Sequence, residues 1–426
     1  MDRLDKLSYI NLRYKPNKND LVCEYFLEPN GISFERACEH VASESSIGTW
    51  TDIATMNKDI AKRLKPSIFD LNPKKGVVRI AYPAELFEAG NMPQILSSIA
   101  GNIFGMKALK NLRLQDISFP KSIIKKFKGP EFGIKGVRKL LKVKKRPLVG
   151  TIVKPKVGLT AEQHAKVAYE AWVGGLDIVK DDENLSNMKF NKYEDRLRIT
   201  LRMRDKAEKE TGEKKIYMPN TTAETKEMLR RARLVRVEGG EYAMIDIITT
   251  GWSGLQTLRD ADLGLVIHAH RAGHGAFTEN PKHGISMLTI AKCARLIGVD
   301  QIHIGAIVGK MKGGKEEVEL IGEEIEDQII HQDKKGHVLE QKWFGIDPVF
   351  AVCSGGLHPG KIPELVKYMG NNIIIQAGGG VHGHPDGTKY GAKAMRQALD
   401  AAMFKIPIGQ YAESHIALHK ALLKWK

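Results

Sequence analysis

From residue 148 onward the chain repeats one local pattern eight times: a short apolar run, most often followed by a segment long enough for a helix. The runs are Leu148 to Val153, Leu176 to Val179, Lys215 to Met218, Tyr242 to Ile248, Leu265 to His268, Gln301 to Ile304, Val349 to Val352 and Ile373 to Gln376. Intervening stretches such as Ala161 to Trp172, Ala223 to Glu238 and Ile285 to Leu296 have the periodicity of helices. Strands that alternate with helices predict a parallel sheet with helical crossovers, and eight of them predict a closed (β/α)8 TIM barrel, an α/β fold. Ahead of the barrel, alternating segments (Tyr9 to Tyr14, Gly76 to Tyr82) mix with helical ones (Phe34 to Ser43, Met92 to Ile99), which predicts an N-terminal α+β domain. The expected division is therefore residues 1–129 and 130–426. Glu316 to Lys342 is too long for a simple loop and should add an element, and the helical tail Gly387 to Lys426 should close the barrel.

A composition of 42% hydrophobic and 27% charged residues is that of an ordinary globular protein. No signal-peptide pattern and no apolar run of membrane-spanning length occurs, so a cytoplasmic protein is expected. Cys23, Cys38, Cys293 and Cys353 are widely spaced, which fits reduced thiols rather than a disulfide frame or zinc cluster. The net charge of +16 is concentrated in Lys121 to Arg146, where eleven Lys or Arg residues meet one acid, Glu131. That block reads as a solvated connector. Binding to nucleic acid or acidic membrane and steering of anionic metabolites are the rival readings, and no helix-turn-helix, zinc-finger or interleaved aromatic pattern supports the nucleic-acid one.

In such a barrel the reactive groups belong at the C-terminal ends of the strands. Six of the eight predicted ends carry them: Lys154-Pro155-Lys156, Lys180-Asp181-Asp182-Glu183, His268-Ala269-His270-Arg271, His303-Ile304-Gly305, Ser354-Gly355-Gly356 and Gln376-Ala377-Gly378-Gly379-Gly380. Asp182 and Glu183 offer hard oxygen ligands suited to Mg2+. The glycine pairs at the last two ends let backbone N–H groups approach an anion, and Arg271 with His303 could hold a second phosphate, so the ligand reads as a bisphosphate. Gly305 to Lys310 falls one residue short of a P-loop between its glycines, and Met311 stands where Ser or Thr is required. His268, His270 and His274 lack the spacing of a zinc site.

The stretches GTIVKPKVGL, GGLDIVKDDEN, HAHRAGH, IHIGAIVGK, SGGLHPG and QAGGGVHGHP, together with ESSIGTW and GNIFGMKAL nearer the start, resemble the large subunit of ribulose-1,5-bisphosphate carboxylase/oxygenase (RuBisCO) in order and spacing along essentially the whole chain. The short length is most similar to the archaeal form III enzymes. The resemblance implies fixation of CO2 onto ribulose 1,5-bisphosphate to give two 3-phosphoglycerate, with O2 competing. It implies that Lys180 reacts with an activating CO2 to form a carbamate (N6-carboxylysine) that joins Asp182 and Glu183 on Mg2+, with Asp181 a neighbour only. A free lysine is mostly ammonium near neutrality, and the adjacent carboxylates are expected to hold Lys180 in that state until it reacts.

The other roles follow from the same resemblance. The Lys180 carbamate removes the C3 proton of the substrate, Lys154 manages protons with Lys156 beside it, and His270 assists proton transfer. Lys310 closes over the substrate on a mobile loop. Thr49, Trp50, Gly378 and Gly379 match one phosphate site, Arg271 and His303 the other, and Ser354 a hydroxyl contact, with Gly355, Gly356 and Gln376 also lining the site. Glu44 and Asn102 match residues by which the N-terminal domain completes the site of a partner subunit, so a homodimer or an assembly of dimers without small subunit is implied, with no nucleic acid or membrane partner. Lys310 and Glu44 separate the chain from RuBisCO-like proteins that enolise a different sugar phosphate without fixing CO2.

Overall fold

The computed structural model describes residues 8–49, 53–308 and 314–425. Among these residues the strands are β1 (Asp20–Pro29), β2 (Ser67–Asn72), β3 (Val77–Pro83), β4 (Leu109–Ser118), β5 (Leu148–Ile152), β6 (Ile178–Lys180), β7 (Ile216–Met218) and β8 (Tyr242–Asp246). They continue with β9 (Val266–His270), β10 (Gly284–Ile285), β11 (Gln301–Gly305), β12 (Ile329–Ile330), β13 (Gln341–Lys342), β14 (Phe350–Ser354) and β15 (Ile373–Gln376). The chain forms two compact units, one of Met1–Gly129, Gly273–Ile297 and Asp327–Ile346, the other of Pro130–Ala272, Gly298–Glu326 and Asp347–Lys426.

The first unit is built on a sheet in the order β10-β4-β1-β3-β2, antiparallel except for the β10–β4 pair. Leu21, Cys23, Tyr25 and Leu27 of β1 are buried at the two-residue spacing of one strand face. Glu24 breaks the polar-out rule: it is buried because Arg79 Nε lies 2.7 Å from one carboxylate oxygen and His337 Nδ1 lies 2.6 Å from the other. The expected helices form at Phe34–Glu44 and Met92–Ile99, but Tyr9 to Tyr14 forms no strand and contributes only a bridge from Ile10 to Ile68. The expected extra element after Glu316 is a helix, Lys315–Glu326, followed by the short β12–β13 hairpin, which belongs to the first unit.

The second unit is the (β/α)8 barrel. Its parallel sheet runs β7-β6-β5-β15-β14-β11-β9-β8, and a parallel bridge between Asn220 and Met244 links the two ends of that order. Helices Thr388–Phe404, Ile408–Glu413 and Ile416–Lys424 form the tail.

The basic block is only partly the solvated connector that its composition suggests. Helix Gly133–Leu141 buries Ile134, Val137 and Leu141 against Leu148, Tyr242, Val266 and Phe350, which lie at the starts of their strands, so it plugs the end of the barrel opposite the reactive one. Each such aliphatic side chain contributes about 1.5–3 kcal/mol by leaving water. Two of the block's cations serve this end of the fold: Arg138 donates to the carbonyls of Val143, Arg146 and Asn371, and Arg146 forms a forked pair with Asp177 at 2.6 and 2.7 Å.

Candidate active site

Because β-strand side chains alternate, the last inward-facing residues of parallel strands converge on one rim. At the end of β6 the Lys180 side chain is buried, with its amine 2.9 Å from the Asp181 carbonyl, 3.3 Å from Met244 Sδ and 3.9 Å from Glu183 Oε2. Burial lowers the Lys180 pKa from the ordinary lysine value despite the opposing pull of Glu183 and Asp182. The direction runs against the expected upward pull of the neighbouring carboxylates: they are close, but withdrawal from water is the larger effect.

Asp181 is consumed by structure. It accepts from Tyr217 Oη at 2.7 Å, the Asn220 backbone N–H at 3.0 Å and Arg196 Nε at 3.1 Å, and His164 Nε2 is 3.1 Å away. Burial opposes its charge, but Arg196 and the hydrogen bonds outweigh that and hold its carboxyl well below the usual range. Asp182 instead points to the rim, where Lys154 Nζ lies 2.6 Å from Oδ2 and Asn184 donates to Oδ1. Burial works against the charge of Asp182 too, and Lys154 and Asn184 lower its pKa overall. Glu183 is 24% exposed, available to a ligand, with His270 Nε2 3.6 Å from it.

Two carboxylates, with waters, are already an ordinary protein donor set for Mg2+, and a third oxygen donor would strengthen it. An ammonium offers no lone pair, whereas a carbamate on the Lys180 amine would supply the third oxygen, so the donor chemistry fits Mg2+ held by Lys180, Asp182 and Glu183.

Around the rest of the rim, His270 sets Nδ1 2.6 Å from Asp246 Oδ1, which fixes the ring and leaves Nε2 toward Glu183. Arg271 packs close to Gly305, where an added Cβ would stand 3.1 Å from a guanidinium nitrogen, and burial lowers its pKa to about 10. His303 is buried, with Nε2 2.9 Å from His268 Nε2 and Nδ1 2.8 Å from Ser354 Oγ. Gly355 and Gly356 have φ of 110° and 76°, a region that favours glycine. Gly378 approaches Lys154 so closely that a Cβ would stand 2.9 Å from Cε. The Gln376 side-chain oxygen is buried without a protein partner.

The rim thus gathers Lys154, Lys180, Asp182, Glu183, His270, Arg271, Ser354, Gly355, Gly356, Gln376, Gly378 and Gly379 around the strand ends, while Lys156 is exposed on the loop after β5. Glu44, Thr49 and Asn102 belong to the first unit, and Trp50 and Lys310 lie outside the described residues. His268, His270 and His274 do not converge: they bond to Gln301 and His303, to Asp246, and to Thr278 respectively. The third and fourth strand ends, passed over in the sequence, supply Asn220 and Asp246, and Asp246 was recognisable as the charged residue closing an apolar strand.

Both units of the chain have relatives among known proteins. Residues 8–123 match the family "ribulose bisphosphate carboxylase large chain, N-terminal domain", and residues 133–425 match its catalytic domain. Ribulose bisphosphate carboxylase of Methanosarcina barkeri is 53% identical over 421 residues, covering 98% of each chain. That of Methanocaldococcus jannaschii is 53% identical over 427 residues, covering 99% of this chain and all (100%) of the relative. Among solved structures, the dimeric archaeal Rubisco of Hyperthermus butylicus superposes with a TM-score of 0.93 at 45% identity, covering 98% of this chain and 99% of that one. The octameric Rubisco of Pyrococcus horikoshii, in complex with sulfate ion, gives 0.91 at 49% identity, covering 98% and 96%. With both domains matched and half the residues identical over nearly its full length, the chain belongs to the ribulose bisphosphate carboxylase large-chain family.

Proposed function

We propose that this protein carboxylates ribulose 1,5-bisphosphate to two molecules of 3-phosphoglycerate, with O2 competing for the same intermediate. The observation that carries the reading is the buried Lys180 amine, 3.9 Å from Glu183 and next in sequence to carboxylates, with its pKa lowered by burial. An uncharged amine adds to CO2 and loses one proton to give a carbamate, so a neutral group becomes an anion with two ligating oxygens. Mg2+ held by that carbamate, Asp182 and Glu183 would polarise the C2 carbonyl and C3 hydroxyl of the sugar.

A carbamate on Lys180 would supply the base for the C3 proton; the overall reaction adds CO2 at C2 and water at C3 and breaks the C2–C3 bond. Lys154, 2.6 Å from Asp182, is placed to move protons at that face, and its ammonium can protonate the carbanion left by cleavage. His270, oriented by Asp246, is a second proton carrier. Arg271 supplies forked donors for one phosphate, and the N–H groups around Gly378 and Gly379 face the other. Ser354 meets a sugar hydroxyl. We assign Lys310 to closure over the carboxylated intermediate, and Thr49, Trp50, Glu44 and Asn102 to a site completed by the first unit of a partner chain. Dimeric and octameric relatives support an assembly of this kind.

Purified protein with Mg2+ and ribulose bisphosphate should incorporate labelled CO2 into 3-phosphoglycerate. With 13CO2, a carbamate resonance should appear that Lys180→Ala lacks. Incorporation by Lys180→Ala at the native rate would sink the reading.

A further inference from the structure

The barrel interior holds a polar column that the proposed chemistry does not use. Tyr242 opens β8 and Gln301 opens β11, both buried. His268 lies opposite Gln301 on the β9–β11 ladder, and His303, two residues beyond Gln301, shares its face of the strand. Four contacts join them to the rim: Gln301 Nε2 to Tyr242 Oη at 3.1 Å, Gln301 Oε1 to His268 Nδ1 at 3.0 Å, His268 Nε2 to His303 Nε2 at 2.9 Å, and His303 Nδ1 to Ser354 Oγ at 2.8 Å. Branched aliphatic side chains ordinarily fill these barrel layers, and a polar group there is costly unless each donor meets an acceptor.

With the Gln301 amide so oriented, the protons can be placed in one way. Oε1 only accepts, so His268 carries its proton on Nδ1. Burial holds the His268 pKa near 3, so the ring is neutral and its Nε2 is a bare acceptor. The proton between the two rings therefore belongs to His303 Nε2. Burial lowers the pKa of His303 as well, which leaves its Nδ1 bare and requires the Ser354 hydroxyl to donate to it.

We propose that Gln301, at the floor of the barrel, is a positioning residue: through His268 and His303 it points the Ser354 proton inward, so that Ser354 offers the ligand an acceptor and selects a hydroxyl donor there. This rests on Ser354 meeting a sugar hydroxyl of the bisphosphate, as argued above.

Two measurements test it. In the full-length protein labelled with 15N-histidine, the nitrogen shifts should show His268 protonated at Nδ1 and His303 at Nε2, and Gln301→Met should mix the tautomers of both. His268 protonated at Nε2 in the native protein would overturn the proposal. In a double-mutant cycle on kcat/KM for ribulose bisphosphate, Gln301→Met and Ser354→Ala should each cost about tenfold, with the double variant no worse than Ser354→Ala. Gln301→Glu, which keeps an oxygen against His268 Nδ1, should recover most of the loss. Fully additive losses would make Gln301 merely structural and overturn the proposal. An unchanged kcat/KM in Ser354→Ala would remove the ligand contact on which it rests, and the tautomer measurement shows separately whether the chain of bonds stands.

Discussion

Lys154 Nζ lies 2.6 Å from Asp182 Oδ2, so one carboxylate expected to hold a cation is already neutralised by a side chain from the neighbouring strand end. A metal ion bound as proposed would compete with Lys154 for the same oxygen. Lys154→Met should therefore bind Mg2+ several-fold more tightly in the presence of bicarbonate, measured by calorimetry, while turnover falls by orders of magnitude. Weaker Mg2+ binding in that variant would show that Lys154 supports the metal site rather than competing with it.

Two of the three glycines that follow β15 should behave differently. At Gly380 a Cβ would stand 2.2 Å from the Leu357 carbonyl oxygen, and backbone cannot give way cheaply. Gly380→Ala should cost on the order of 2 kcal/mol or more in denaturant unfolding. At Gly378 the obstacle, 2.9 Å away, is Cε of Lys154, near the end of a flexible chain. Gly378→Ala should unfold within about 1 kcal/mol of the native protein yet lose at least tenfold in kcat.

Glu24 links stability to pH in the first unit. Burial opposes its charge, but His337 and Arg79 outweigh burial and lower its pKa from the ordinary 4.5. A carboxyl depressed in the folded state stabilises the fold fully above its unfolded pKa, and that contribution is lost as pH falls through the folded value. Glu24→Gln should lower the Tm at neutral pH and flatten the decline of Tm below about pH 4.5 relative to the native protein. An equal Tm difference at all pH values would remove the ionic contribution.

Coexpression can test a site shared between chains. Lys180→Ala and Glu44→Gln should each be inactive, but random pairing makes about half of the dimers hybrid, and one of the two sites in each hybrid is whole. About a quarter of native activity per site should return. Hybrids confirmed by mass spectrometry and still inactive would place Glu44 within the site of its own chain.

The strand ends in the sequence carried both the barrel and most of the residues on its rim, because eight parallel strands separated by helices can close on themselves, and a closed sheet brings their C-terminal ends to one face. Other features depended on partners far away in sequence. β1 was masked by Glu24, whose burial needs Arg79 and His337, and the plugging helix was masked by the lysines on its outer face. The lowered pKa of Lys180 could not be read from KDDE either: charge sequence predicts stabilisation of the cation, and only tertiary burial decides that desolvation wins. The proton column from Tyr242 to Ser354 likewise spans four strands, and each contact in it depends on the register of the closed sheet. Residue types and spacing determined which chemistry this chain could carry; three-dimensional packing decided which groups water reaches, and so which protons they hold.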